Sequence, residues 1–329
     1  MDLLIFLLLV IFFIFITGLC VGSFLNVVIL RAFSNESIIF PPSKCPACQK
    51  PLRWYHNIPV LSYLFLRGKC SFCDEKISLQ YPIVEIVTAF LFVAVFMKFG
   101  FSINLIFMLI FSSLFIVFAV TDIKEKVVFD FHTYTLAILG LIYNFFNFGH
   151  LYYGVKIINL GQFALQINNS FIQAILGVLA GIIIMEALAR FGYLIAGTRA
   201  FGEGDTFIAA GLGAVFGLKY LITVLAYSLI IQVVLTIPVF FKKLYCQKDY
   251  QTLAAFIAFF AFAFGIKALD NYELLNNLLV FGVLILILCV LGFYTCKRIL
   301  QGLKNPENIT YLPFGPAMIA GAFFVMFLL

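Results

Sequence analysis

The segment LLIFLLLVIFFIFITGLCVGSFLNVVIL, residues 3–30, decides the fold, because it runs for 28 residues without a charge and ends at Arg31. About 20 apolar residues are enough for a helix to cross a bilayer. The segment is too long for the core of a signal peptide, and no basic residue precedes it. We therefore expect residues 1–30 to form a retained transmembrane helix.

The rest of the chain has the same apolar character. Of its 329 residues, 64% are hydrophobic and 11% are charged, against about 45–50% and 25% in soluble proteins. This composition excludes a soluble globular protein, a disordered chain and a small disulfide-rich secreted domain. Further apolar stretches lie at 82–99, 103–121, 131–149, 171–189, 206–217, 220–241, 253–269, 277–296 and 313–329. The predicted fold is an all-α polytopic membrane protein with about ten spans, of which 206–217 is short enough to be a half-helix or a tilted piece.

The basic residues predict how the chain is oriented in the bilayer. If the N-terminus lies outside, seventeen of the 21 Lys and Arg residues fall in five cytoplasmic loops, at 31–81, 122–130, 190–205, 242–251 and 297–311. Such a bias is the one that the positive-inside rule describes. The basic residues form no cluster with interleaved aromatic residues, so we expect the lipid bilayer, and no nucleic acid, as a partner.

One loop is large enough for a fold of its own. The loop at 31–81 contains two CxxC pairs, formed by Cys45, Cys48, Cys70 and Cys73. Four thiolates in two close pairs are typical of a tetrahedral zinc site, and four cysteine ligands leave no open position, so the zinc would be structural. Disulfides or a redox-active pair are the alternative, which a reducing cytoplasm disfavours.

Two acidic residues stand beside apolar stretches, where an ionisable group is costly and usually functional. Asp122 follows the stretch 103–121, and Asp205 precedes the stretch 206–217 in Gly202-Glu203-Gly204-Asp205. Two carboxyl groups held close together tend to share one proton, as in aspartic proteases. From position alone, helix caps or solvated carboxylates are an equal alternative.

Several motifs together resemble the type IV prepilin peptidase family of GxGD-type membrane aspartic proteases. They are GLCVGSFLNVVI at 18–29, the paired CxxC loop with NIPVLSY at 57–63 and RGKC at 67–70, YPIVE at 81–85, the segment around Asp122, GEGD at 202–205 and PFGP at 313–316. This combination is specific, and it covers about 18–241 and the chain from 311 onward.

The resemblance implies a function. Members cleave the basic leader from type IV prepilins or pseudopilins at the cytoplasmic face of the bacterial inner membrane. Their two catalytic aspartates match Asp122 and Asp205, and Gly202, Gly204 and Asp130 match positions expected to place the substrate. Many members also methylate the new N-terminus with S-adenosylmethionine. For this chain, only the resemblance implies that activity.

The chain departs from the family pattern in three places. Phe207 stands where a lysine is usual, and Val128-Phe129 replaces Leu-Pro before Asp130. An apolar hairpin at 253–296 adds to the eight usual spans. The expected organisation is thus a first span at 1–30, a cytoplasmic tetra-cysteine loop at 31–81, a catalytic membrane domain at 82–241, the additional hairpin at 253–296, and a loop with the last span at 297–329.

Two other functions stay open on the residues alone. An ion-coupled transporter would use the two carboxylates to move a cation, although the sequence shows no duplicated halves. A catalytically silent assembly scaffold would keep the fold without needing either aspartate.

Overall fold

The structure is a computed structural model, and it describes residues 2–34, 37, 39–40, 42–146, 170–196, 201–246, 249–268, 283–284, 286–288, 290–294 and 313–328. The described part of the chain is mostly helical. Its main helices are α1 (Asp2–Ser34), the short α2 (Leu61–Phe65), α3 (Gln80–Phe99), α4 (Ile103–Glu125), α5 (Asp130–Phe145), α6 (Ser170–Ala196), α7 (Glu203–Cys246), α8 (Tyr250–Ala268) and α9 (Gly315–Leu328).

Within these described residues, five helices are long and apolar enough to cross a membrane: α1, α3, α4, α6 and α7. Two shorter apolar helices lie at Tyr250–Phe262 and Gly315–Leu328. Large apolar side chains of α1 face outward, for example Leu4 and Phe13, which are 62% and 66% exposed. Such exposure is expected where lipid, and not water, surrounds the helix. The chain is a multi-pass membrane protein, and half of the predicted stretch at 277–296 lies outside the described residues.

The described residues within 1–185, 203–229 and 313–329 form one compact unit. Helix α4 is central to this unit, since it packs against α1, α3, α5 and α9. Its buried aromatic side chains, Phe111, Phe115 and Phe118, are at most 1% exposed. This packing fixes the end of α4, where Asp122 lies.

Helices α1 and α3 approach closely at two glycines. A Cβ at Gly18 would lie 2.6 Å from the Cα of Ala89, and one at Gly22 would lie 2.7 Å from the Cα of Glu85. A larger residue at either position would push the helices apart. Small residues four apart allow such close packing of membrane helices.

Helix α7 is broken at Gly217, where φ is 72° and ψ is 172°. The break lies between the predicted stretches 206–217 and 220–241, which therefore form two separate helical segments. A kink frees backbone carbonyls that would otherwise accept a helical hydrogen bond. Here the side-chain amide of Asn144 on α5 donates to the carbonyls of Ala214 at 2.9 Å and Val215 at 3.2 Å.

Two glycines of α6 make a second close approach between helices in the same region. The four-residue spacing of Gly177 and Gly181 is typical of close helix packing. A Cβ at Gly181 would lie 2.6 Å from the carbonyl oxygen of Ala209, and one at Gly177 would overlap the carbonyl oxygen of Gly213. Helices α6 and α7 therefore meet backbone to backbone.

The described residues within 186–202 and 230–312 form a second compact unit. In it, Arg190 pairs with Glu186 at 3.1 Å, one helical turn apart on an exposed face. The rings of Phe241 and Phe256 pack edge to face at 5.0 Å. A Cβ at Gly292 would lie 3.2 Å from the ring of Phe259, so residues around 292 pack on α8. The turn of the predicted hairpin at 253–296 lies outside the described residues.

Candidate active site and metal centre

The two CxxC pairs fold into matching tight turns. In the first, the Cys45 N–H donates to the Lys50 carbonyl at 3.0 Å and the Gln49 N–H donates to the Cys45 carbonyl at 2.9 Å. The second turn, 25 residues later, repeats the pattern, with the N–H groups of Cys70 and Asp74 donating over 2.8 and 3.0 Å. Gln49 and Asp74 both have a φ of 57°. Because both turns have the same backbone geometry, each presents two sulfurs to one side.

The four sulfurs meet at one point. The Sγ atoms of Cys45, Cys48, Cys70 and Cys73 all lie within 4.8 Å of one another, and those of Cys45 and Cys73 are 3.9 Å apart. A Zn–S distance of 2.3 Å in a tetrahedron gives sulfur–sulfur separations of about 3.8 Å. The donor set and its spacing therefore fit zinc.

Crowding by the other three thiols opposes ionisation of the Cys73 thiol when no cation is bound. The backbone N–H of Glu75 lowers the pKa of the Cys73 thiol. Desolvation and hydrogen bonds with the other three thiols outweigh this and raise that pKa to about 12. A cation among the sulfurs would reverse this balance, since metal ligation needs the thiolate form.

Asp122 lies in the last turn of α4 and is 5% exposed. Its Oδ2 accepts a hydrogen bond from the backbone N–H of Gly315 at 2.9 Å, so the first residue of α9 holds this carboxylate. A Cβ at Gly315 would overlap Oδ2. The Asp122 side chain is therefore buried and not solvated, and it accepts the N–H of the first residue of α9, which is a helix-capping contact made from a distant segment. The contact made by Gly315 could not be predicted, because in the sequence Gly315 stands only as one residue of the PFGP motif.

Asp205 lies half-buried in the first turn of α7. The residue before it, Gly204, packs against the segment that follows α4: a Cβ there would lie 2.8 Å from the Cβ of Val128. One turn further along α7, the Cδ1 of Ile208 would lie 3.3 Å from a Cβ at Gly315. The first turns of α7 therefore pack at the junction of α4 and α9, where Asp122 is held.

The other predicted positions are close in the chain to the residues of this junction. Asp130 is the exposed first residue of α5, and Gly202 is exposed immediately before α7. At the departures from the family pattern, the ring of Phe207 packs edge to face on Tyr134 at 6.0 Å. The ring of Phe129 packs on Phe33 of α1 at 5.2 Å. At position 207, a packed aromatic ring thus stands where a lysine is usual. At position 129, a packed aromatic ring stands where the proline of the usual Leu-Pro pair would be.

Comparison with known proteins agrees with the motifs. A family model described as the bacterial peptidase A24 N-terminal domain matches residues 16–99, and one described as the type IV leader peptidase family matches residues 109–237. No solved structure matches the chain significantly.

Three relatives are named prepilin leader peptidase/N-methyltransferase. The Myxococcus xanthus protein is 34% identical over 66% of this chain and 59% of its own length. The Neisseria gonorrhoeae protein is 33% identical over 68% of this chain and 79% of its own length. The Bacillus subtilis protein is 34% identical over 66% of this chain and 78% of its own length. The chain thus spans less than two thirds of the first relative and more than three quarters of the other two. These matches confirm the resemblance read from the motifs, and the chain belongs to the type IV leader peptidase family of proteolytic enzymes.

Proposed function

We propose that the chain is an aspartic endopeptidase that removes the basic leader peptide from type IV prepilins or pseudopilins. One observation carries the proposal. The buried Asp122 has one oxygen held by the amide of Gly315, at the junction on which the first turns of α7, with Asp205, also pack. The names of the relatives support the substrate class.

In this proposal, Asp122 and Asp205 share one proton, because two neighbouring carboxyl groups do not both ionise readily. The ionised member takes a proton from a water molecule, whose oxygen bonds to the carbon of the scissile carbonyl. The protonated member donates its proton to the carbonyl oxygen. The C–N bond then breaks as the leaving amine receives a proton. With Oδ2 of Asp122 held by Gly315, we assign the water to Oδ1, and the pair titrates as a unit.

We place this site at the cytoplasmic face of the bacterial inner membrane, with the N-terminus outside. The excess of Lys and Arg in the loop at 31–81 and in the loops after α4, α6 and α7 supports this orientation. The apolar helix of a prepilin would lie among the spans, while its basic leader meets the carboxylates. We assign Gly202, Gly204 and Asp130, which are close in the chain to Asp205 or to the end of α4, to substrate placement.

We assign a structural zinc ion to Cys45, Cys48, Cys70 and Cys73, whose sulfurs have the spacing described above. Four thiolate ligands leave no open position for a substrate or water, so zinc here would hold the loop and take no part in cleavage. A loop of about 50 residues is too small to build a stable core alone, and the metal would supply much of its folding energy.

We further propose that the chain methylates the new N-terminus of the cleaved substrate, with S-adenosylmethionine as methyl donor. The relatives' names, which join leader peptidase to N-methyltransferase, support this second activity.

Cleavage of a prepilin-type substrate in membranes tests the peptidase. Mass spectrometry would follow the loss of the leader with the wild type, with Asp122→Asn and with Asp205→Asn. We expect each variant to cut at least about a hundredfold more slowly, as is typical when an acid–base group is removed. Glu203→Gln is the matched control, since it neutralises an exposed carboxylate in the same first turn of α7 and should cut normally.

Failure of the folded wild type to cut any of several prepilin-type substrates would contradict the proposal. Cation flux that depends on Asp122 or Asp205 would then favour the transporter. Pilus assembly that survives both substitutions would favour the silent scaffold.

A further inference from the structure

The short helix α2 in the cysteine-rich loop has two different faces. One face carries Ser62 and Tyr63, which are half-buried. The other face carries Leu61, Leu64 and Phe65, whose spacing places them side by side on a helix. All three of these apolar side chains are exposed, and Phe65 is 83% exposed. Helix α2 therefore presents an uncovered apolar face on a loop that otherwise carries many polar residues.

The segment before α2 extends this apolar face. The single helical turn Trp54–Asn57 packs against α2, and the carbonyl of Ile58 accepts the N–H of Ser62 at 3.1 Å. Trp54 is 79% exposed, and Ile58 is exposed as well. We call the exposed residues Trp54, Ile58, Leu61, Leu64 and Phe65 the α2 surface. Large apolar patches that are left exposed on a folded protein mark contacts with another protein or with a membrane.

A hydrogen bond ties the start of α2 to a membrane-spanning helix. The N–H of Val60, which immediately precedes α2, donates to Oε2 of Glu85 on α3 at 2.7 Å. Glu85 lies five residues beyond Gln80, the first residue of α3, which is about 7–8 Å along a helix axis. The 20 residues of α3 span about 30 Å, no more than the hydrocarbon core of a bilayer. This contact therefore places the start of α2 at the boundary of the hydrocarbon core.

The exposed side of α3 is apolar from its first turn. Leu79, immediately before α3, and Ile83, in its first turn, are both exposed, as is Phe90 two turns later. Large apolar side chains are expected to be exposed in this way where lipid surrounds a helix. The bilayer therefore begins no later than the start of α3, at the level where Val60 is held.

The charges beside the α2 surface favour lipid over a prepilin as its partner. The segment 53–69 contains the basic residues Arg53, Arg67 and Lys69 and no acidic residue, and all three are exposed. Anionic lipids attract basic residues that lie close to the membrane surface. The basic leader of a prepilin would instead meet charges of its own sign. Tryptophan is also enriched at the boundary between lipid and water.

We propose that the α2 surface lies in the headgroup boundary of the bilayer and contacts anionic lipid. Leu61, Leu64 and Phe65 contact acyl chains, and Trp54 lies at the level of the headgroups. Arg67, which follows α2, contacts lipid phosphates. The cysteine-rich loop is then held on the membrane at two points, by lipid at α2 and by α3 at Val60. The orientation proposed above assigns this contact to the cytoplasmic leaflet.

The fluorescence of Trp54 tests this placement, because Trp54 is the only tryptophan in the chain. The full chain would be placed in nanodiscs of phosphatidylcholine and phosphatidylglycerol, with or without bromine atoms on the acyl chains. Bromine quenches a tryptophan that contacts lipid, and acrylamide quenches one that faces water. We expect brominated lipid to remove most of the Trp54 emission and acrylamide to remove little. Strong quenching by acrylamide with no effect of brominated lipid would overturn the proposal.

Two variants move the reporter within the loop. Both carry Trp54→Phe. Phe65→Trp then places the reporter on α2, and Ala47→Trp, the control, places it at an exposed residue between two of the cysteines. We expect brominated lipid to quench the first variant and acrylamide to quench the second. Equal quenching of both by brominated lipid would overturn the assignment to the α2 surface. Thermal unfolding checks that each variant is folded, and if Phe65→Trp fails that check, the wild-type result decides.

Arg67→Gln tests the contact with anionic headgroups. It should weaken the quenching of Trp54 by brominated lipid in nanodiscs that contain phosphatidylglycerol, and it should change nothing in phosphatidylcholine alone. The same result in both lipids would overturn this contact. Protection of Trp54 from acrylamide that requires an added prepilin would assign the α2 surface to the substrate and overturn the lipid assignment. None of these measurements uses leader cleavage, so the peptidase proposal is tested separately.

Discussion

Replacing Gly315 with alanine tests whether the start of α9 sets the position of Asp122. The new Cβ would overlap Oδ2 of Asp122, and it would lie 3.0 Å from its Cγ and 3.3 Å from Cδ1 of Ile208, where ordinary contact begins at 3.4 Å. The carboxylate must therefore move, and a misplacement of about 1 Å in an active site costs on the order of a hundredfold in rate. We expect kcat/KM for leader cleavage to fall by that factor.

Gly321→Ala, on the same helix, is the matched control. Its Cβ would lie 2.5 Å from the Ser228 hydroxyl and 2.8 Å from the Val224 carbonyl. The Gly321→Ala variant is therefore overpacked to a degree similar to that of Gly315→Ala. Both variants should lose about 1–3 kcal/mol of stability, but only Gly315→Ala should lose activity in the folded fraction. Cleavage and thermal unfolding would be measured on the same preparations. Wild-type cleavage by folded Gly315→Ala, or equal losses in both variants, would refute the reasoning.

Three further predictions concern the metal centre and the broken helix. Cys48→Ser should abolish stoichiometric zinc in metal analysis, whereas Cys246→Ser, outside the cluster, should keep it; equal zinc in both would count against the site. Zinc affinity, measured by chelator competition, should fall more than tenfold per pH unit on acidification, because binding releases more than one thiol proton. The raised pKa of Cys73 means that this thiol carries its proton at neutral pH until zinc binds, and a flat pH profile would contradict this. Asn144→Leu should destabilise the chain by about 1–3 kcal/mol, because the carbonyl of Ala214 loses its buried donor; an unchanged unfolding midpoint would show that the kink needs no such partner.

Features encoded within a short segment could be predicted from the sequence. The uncharged segment at 3–30 forms one helix, and the two CxxC pairs bring their sulfurs together as the spacing requires. The break in α7 at Gly217 was visible as a gap between two apolar stretches. In each case the residues that determine the structure are neighbours in the chain or repeat at a fixed spacing.

Features built from distant segments could not be predicted. The amide that holds Asp122 belongs to Gly315, 193 residues away. A cavity of about 580 Å³ takes its walls from α1, the cysteine-rich loop, α3 and α4, and no spacing rule joins these segments. Orientation in the membrane and the roles of Asp122 and Asp205 stay predictions, because they depend on the bilayer and the substrate.

The central claim is that Asp122 and Asp205 act as one catalytic unit, and a double-mutant comparison tests it most directly. The measurement is kcat/KM for leader cleavage with Asp122→Asn, Asp205→Asn and the double variant, each shown to be folded. Residues that act as a unit are strongly non-additive. We predict a large loss of kcat/KM in each single variant and no further loss in the double variant. Independent losses that multiply in the double variant, or near-normal cleavage by either single variant, would contradict it.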